Sequence, residues 1–175
     1  GRLAKGELTG ADEELHGDTV KYYTMNKRVV YGGGGIMPDV FVPIDTTLSS
    51  AYFGQLVRKG VLNTFALTYV DDNRDDLKRR YNSVEQFRQS YQVGDVMLDA
   101  LAAYAAKEGV AEDAEGMARS HDLIALRLKA LMARDLWDTS AYWQVINAEN
   151  MVDRSFQRAL EALGDNSFQR LGMSR

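Results

Sequence analysis

Met117-Ala-Arg-Ser-His-Asp-Leu-Ile-Ala-Leu-Arg-Leu-Lys-Ala-Leu-Met-Ala-Arg-Asp-Leu-Trp137 is the stretch that decides the fold. Ile124, Leu128, Leu131 and Met132 recur at the spacing of one helix face, and Leu123 and Leu136 widen the stripe. The spacing predicts a single helix from about Met117 to Trp137. Toward the C-terminus, Ser140 opens a further helix that its hydroxyl can cap. That helix places Val145, Val152, Phe156, Leu160 and Leu163 inward and ends at Gly164. Toward the N-terminus, a helix between Val96 and Glu108 is ended by Gly109. Ser83 with Gln86 forms a capping box for a helix carrying Phe87 and Tyr91 on one side. Val61 to Tyr81 is helical, with Leu62, Phe65, Tyr69 and Leu77 near one face. Thr46 or Thr47 caps the first helix, which runs through Leu56 and stops at Gly60. Helices of this kind gain most of their stability by packing apolar faces together, so residues 46–175 are expected to form a helical bundle.

The pattern changes at Asp45. Before it lie most of the strand signals, a run of glycines and both prolines. Thr19 to Met25 is rich in β-branched and aromatic residues, Asn26-Lys27 reads as a turn, and Arg28 to Tyr31 as a second short strand. Gly32 to Gly35 breaks regular structure. Ile36 to Val42 is extended but contains Pro38, which confines it to an edge strand or a strand entered after the proline. Two or three short strands do not make a stable sheet alone, so residues 1–45 read as the tail of a larger sheet. The expected class is therefore mainly α, a C-terminal helical bundle preceded by a small β-hairpin.

At 175 residues the chain is long enough to bury a core without disulfides or metals, and it contains no cysteine to form either disulfides or thiolate sites. Its net charge of -4 argues against a nucleic-acid partner, because the densest basic run, Lys78-Arg79-Arg80, follows directly on an aspartate-rich stretch. No stretch approaches the roughly 18 apolar residues of a bilayer span, and Gly1 to Gly10 lacks the apolar run of a signal peptide.

Each candidate site meets a simpler reading. Gly32 to Gly35 is no phosphate loop: Ile36-Met37-Pro38 follows where a helix N-terminus is needed, and proline biases Met37 to extended backbone. Asp71, Asn73 and Asp75 alternate like the first ligands of a calcium loop, but Asp76 and Asn82 occupy the positions that need glycine and glutamate. Asp75 facing Arg79 and Asp76 facing Arg80 on a helix surface is the better account. Ser120, His121 and Asp122 have the residue types of a hydrolase triad, yet consecutive helical side chains point about 100° apart and cannot assemble one. With only His16 beside His121, a histidine metal site is not expected either. Trp137, Tyr142 and Trp143 form either a ligand-stacking platform or, as expected at a helix junction, core. No catalytic, metal or cofactor-binding residue is assigned, and no cofactor is expected.

Two strings carry a family resemblance: Lys21-Tyr-Tyr-Thr-Met-Asn-Lys-Arg28 and Val29-Val-Tyr-Gly-Gly-Gly-Gly-Ile-Met-Pro-Asp39, followed by Val40-Phe-Val-Pro43. They resemble the end of the catalytic domain of carboxyl-terminal processing (tail-specific) serine proteases. There a strand leads through a Gly-Arg turn into Gly-Gly-x-x-Pro-Asp and a hydrophobic strand. Lys27-Arg28 departs from the family's Gly-Arg. Asp45-Thr46-Thr47, Leu128 to Trp137 and Tyr142 to Asn147 are similar to the C-terminal extension of Bacteroidetes-type members. The resemblance implies a periplasmic or envelope endopeptidase that cleaves near protein C-termini with a serine nucleophile, a lysine base and a PDZ domain. In that family the PDZ domain, serine and lysine precede the Pro-Asp segment, so none of the catalytic residues falls in this sequence. The implied role is a non-catalytic C-terminal domain that supports the catalytic domain, oligomerisation or substrate positioning. Its partners would be the PDZ and catalytic domains of the parent, protein substrates through the parent, and further copies of itself. A start at Gly1 without methionine fits cloning or processing. The alternative is a stand-alone helical interaction module without protease ancestry, which would need an exposed apolar patch larger than roughly a few hundred Å².

Overall fold

Ser50 begins the helical region, and it does so because its hydroxyl accepts the Phe53 amide at 3.1 Å while its own backbone stays extended. Helix α1 (Ala51–Arg58) follows and stops where Gly60 takes a left-handed φ of 71°. The stop is the expected one, but the start lies beyond Thr46 and Thr47. The chain ahead of α1 is tied elsewhere: the Thr47 carbonyl accepts from Arg119 Nε at 3.0 Å, and the Leu48 carbonyl from the Ser120 hydroxyl at 2.8 Å. In this computed structural model residues 20–25, 27, 29–31, 40, 42, 47–148 and 154–164 are described. Gly1 to Asp18, with His16, the Gly32–Gly35 run, Pro38-Asp39, Thr46 and Val152 lie outside them.

Helix α2 (Val61–Arg80) buries Val61, Leu62, Ala66, Val70 and Leu77. The buried face is thus turned slightly from the expected one, leaving Phe65 and Tyr69 half-buried at its margin. Helix α3 (Val84–Ser90) is capped by Ser83, which accepts the Gln86 amide at 3.2 Å. The reciprocal bond is displaced by one residue, since Gln86 Oε1 accepts from the Asn82 amide rather than from that of Ser83. Helix α4 (Asp95–Lys107) ends at Gly109, whose φ of 74° is again left-handed.

The expected single helix over Met117–Trp137 is two. Helix α5 (Ala114–Arg119), capped by Asp113, is separated from α6 (His121–Leu136) at Ser120, where φ and ψ are -104° and 14°. The break lets the fully buried Ser120 hydroxyl leave the helix path and donate to the Leu48 carbonyl. The same oxygen accepts the Ser50 amide at 2.8 Å and lies 2.8 Å from the Ser50 hydroxyl. Gly116 is required nearby, because a Cβ there would run into the Asp113 carboxylate and within 2.8 Å of Tyr52 Cβ.

Helix α6 is buried over more than a stripe: Leu128 through Ala133 are all buried. The cause is its central position, with α2 on one side and helix α7 (Thr139–Ala148) on the other. Around this centre α1 packs on α2 and α5, α4 on α2, and α3 on α7. Asp138, not Ser140, caps α7, its Oδ1 accepting the Ala141 amide at 3.0 Å. An aromatic group closes the core, Phe87 stacking on Tyr91 at 4.5 Å and meeting Tyr81 and Trp137 edge-on at 5.3 and 5.5 Å.

By its contacts the chain divides into two units, Thr46–Asp153 and a second made of Gly1–Asp45 with Arg154–Arg175. The first holds α1 to α7. The second contains strands β1 (Lys21–Tyr23) and β2 (Val29–Tyr31), antiparallel with Tyr22 opposite Val30, and helix α8 (Arg154–Gly164). The hairpin is as expected. The C-terminal helical pattern, which reads as one helix from Ser140, is carried by α7 and α8, and Leu160 and Leu163 of α8 are exposed rather than inward. The protein is mainly α, a bundle preceded by a short β-hairpin.

Candidate functional site

Ser120, His121 and Asp122 stand at the α5–α6 junction, and their side chains part company there. The Ser120 hydroxyl is buried and committed to Leu48 and Ser50. The His121 ring faces outward, with Nδ1 2.8 Å from Asp122 Oδ1 and Nε2 3.2 Å from Asp95 Oδ1. Hydrogen bonds to the carboxylates of Asp122 and then Asp95 raise the imidazole pKa above its ordinary value, with desolvation opposing. A nucleophile–base contact between Ser120 and His121 is not formed, so the three residues are no triad.

The aspartates of α2 form surface ion pairs. Asp71 Oδ1 takes Arg74 Nη2 at 2.6 Å, and Asp76 takes Arg80 Nε at 2.8 Å. Arg79 turns to Asp76, at 3.4 Å, instead of to Asp75 as the four-residue spacing predicts. No group of three or more His, Asp or Glu among the described residues could hold a metal ion.

The aromatic trio divides. Trp137 lies against Phe87, and Tyr142 is buried beneath Arg127, whose guanidinium carbon is 5.3 Å from the ring centre. Burial raises the Tyr142 phenol pKa, and Arg127 pulls the other way. Trp143, in contrast, is 54% exposed and meets Tyr142 edge-on at 5.0 Å. Tyr142 is core, Trp137 packs half-buried against that core, Trp143 is surface, and no platform is assembled from the three.

Sequence reading missed a buried lysine and a largely enclosed aspartate. Lys129 is buried in the middle of α6 and donates from Nζ to the Arg88 carbonyl at 2.7 Å, near the C-terminal end of α3. A cation at that helix end is favourable, which makes the amine an anchor between α6 and α3. The signal for it was the apolar residues on either side, Leu128 before it and Ala130 to Ala133 after it, which enclose the lysine. The Asp135 carboxylate accepts Arg134 Nε at 2.9 Å through Oδ1, and its backbone carbonyl accepts Arg74 Nη1 at 2.9 Å. A shallow polar depression of about 210 Å³ lies between Ser49–Ala51, Asp113, Glu115 and Arg119. It is smaller than the few hundred Å³ that a small-molecule site encloses.

The fold and these groups define a small helical module in which the Ser120 hydroxyl and the His121 ring have separate partners. No helix among them is long and apolar enough to cross a membrane. Residues 52–138 match the model of a family described as a family of unknown function (DUF8443). The match runs from α1 through α6 to the residue that caps α7, and leaves out the hairpin and α8. No curated protein and no solved structure matches the chain.

Proposed function

We propose that the chain is the non-catalytic C-terminal region of a carboxyl-terminal processing serine endopeptidase of the periplasm or cell envelope. Its hairpin would be the last strands of the catalytic sheet, and its helical unit would support that domain, its oligomerisation or the positioning of protein substrates. The observation that carries this reading is the backbone at Lys27. Its φ is 59°, the left-handed conformation that glycine adopts freely and a lysine seldom does. Lys27 is the position at which the resemblance places the glycine of a Gly-Arg turn. The turn is closed by a bond from the Lys27 amide to the Thr24 carbonyl at 2.8 Å, and the strands flanking it pair antiparallel.

The size of the hairpin supports the same reading. Each strand has three residues, and Val20, Tyr22, Tyr23, Met25 and Val29 are all exposed. A two-stranded sheet of that length is marginal in water, and five exposed apolar side chains are what a sheet margin awaiting further strands would carry. The alternative of a stand-alone interaction module gains less. The large apolar side chains exposed on the helices of the first unit fall one each on α1 (Val57), α2 (Leu67), α4 (Val96) and α7 (Trp143).

The test is proteolysis of an unfolded protein substrate by the 175-residue chain and by the polypeptide of the gene that encodes it. The expected outcome is silence from the chain and cleavage by the parent, abolished by replacing a serine encoded upstream. Cleavage by the chain alone, or a gene with no serine–lysine pair upstream of this segment, overturns the proposal.

A further inference from the structure

His121 is the first residue of α6 and Asp95 the first of α4, and the imidazole bridges them. Both ring nitrogens face carboxylate oxygens, Nδ1 that of Asp122 and Nε2 that of Asp95. An ionised carboxylate only accepts hydrogen bonds, and a neutral imidazole has one N–H to give. Both bonds exist together only when the ring is an imidazolium. Neither helix start has a side-chain cap of its own. Gly94 precedes α4 without a side chain, and the Ser120 hydroxyl ahead of α6 is spent on Leu48 and Ser50. The bridge therefore ties down two helix ends that lack the usual local cap.

We infer that His121 is a proton-dependent latch between the first turns of α4 and α6, closed while the ring carries two protons and opened when it loses one. Among the described residues, Asp95 from α4 and Asp122 from α6 are the charged groups that face the ring. Arg119, at the end of α5, is turned to the Thr47 carbonyl. On deprotonation one carboxylate loses its donor. Asp122 adjoins the ring in sequence and keeps its place, so Asp95 is the partner released. The first turn of α4, with Val96 already 85% exposed, then loses its tie to α6.

The geometry agrees in sign with the raised pKa of the ring. A group whose folded pKa lies above its unfolded value of 6.5 contributes stability that is complete below 6.5 and is lost as pH rises through the folded pKa. The latch is thus shut in mildly acidic solution and opens on the alkaline side of 6.5. Because the ring is 43% exposed, water and salt screen it, and the effect is local rather than global.

The full chain titrated by NMR tests this. It has two histidines, so the His121→Gln variant assigns both imidazole signals by difference. The expected result is a His121 midpoint above 6.5, with the backbone amides of Asp95 to Leu98 shifting at the same midpoint. Asp95→Asn should bring the midpoint down and remove that shared transition, with helical circular dichroism unchanged. A midpoint at or below 6.5, or α4 amides that stay flat while His121 titrates, overturns the latch.

Discussion

Phe87 and Tyr23 are both aromatic residues in short elements, and they meet opposite fates. Phe87 is fully buried in a seven-residue helix and touches Tyr81, Tyr91 and Trp137. Tyr23 is 67% exposed in a three-residue strand. The difference is one of enclosure. In the helical unit, short helices such as α3 and α5 are held because longer neighbours give them a surface to pack on, α7 for α3 and α1 for α5. The hairpin makes its own ladder yet leaves Tyr22, Tyr23 and Val29 in water. Local sequence signals are good in both regions, so it is tertiary burial that separates them.

Removing the most enclosed side chain gives the largest expected effect. Phe87→Ala deletes a ring packed by three others and leaves a cavity that neighbours on α3 and α6 cannot fill. The expected loss is about 3–5 kcal/mol of the helical unit's stability. A urea melt followed by helical circular dichroism measures it, and a loss below about 1 kcal/mol would mean that the aromatic group is not a closed core.

The parts of this core legible in sequence were those whose cause is local. Gly60 and Gly109 end α1 and α4 as read, since a left-handed residue after a periodic run has few other uses. The Ser83 cap was also legible, because donor and acceptor lie three residues apart. What escaped was long-range. Ser120 reads as one more residue inside a helical pattern, and only its bonds to Leu48 and Ser50, some 70 residues away, explain the break between α5 and α6. Those bonds also explain why the first helix starts at Ser50 and not at Thr46 or Thr47. The α6 pattern was legible as apolar but not as central, because a stripe and an enclosed helix differ only in what packs on the second face. Of the groups around His121, the bridge to Asp95 was invisible because its partners are 26 residues apart.

That local–distant contrast gives the intermediate effect. Ser120→Ala removes the donor to the Leu48 carbonyl and the acceptor of the Ser50 amide inside a fully buried site. Leaving such groups unpaired costs about 1–3 kcal/mol. Ser83→Ala removes an exposed cap bond and should cost only about 1 kcal/mol, so the two variants melted side by side rank distant against local. Equal losses would mean that the Ser120 bonds are replaced by water.

The smallest effect is expected at Tyr23, and it sharpens the comparison most. Tyr23→Ser alters an exposed side chain outside the unit that holds the core, so the helical melt should shift by no more than about 0.5 kcal/mol. In the parent protease that the proposed function requires, the same residue would lie in a sheet with further strands. Burying an aromatic side chain is worth about 1.5–3 kcal/mol, and that contribution would be lost on substitution. One change that is silent here and costly in the parent would place the hairpin in the larger sheet. Silence in both would leave Tyr23 a surface residue of a self-sufficient hairpin, and the exposed apolar side chains would then no longer speak for missing strands.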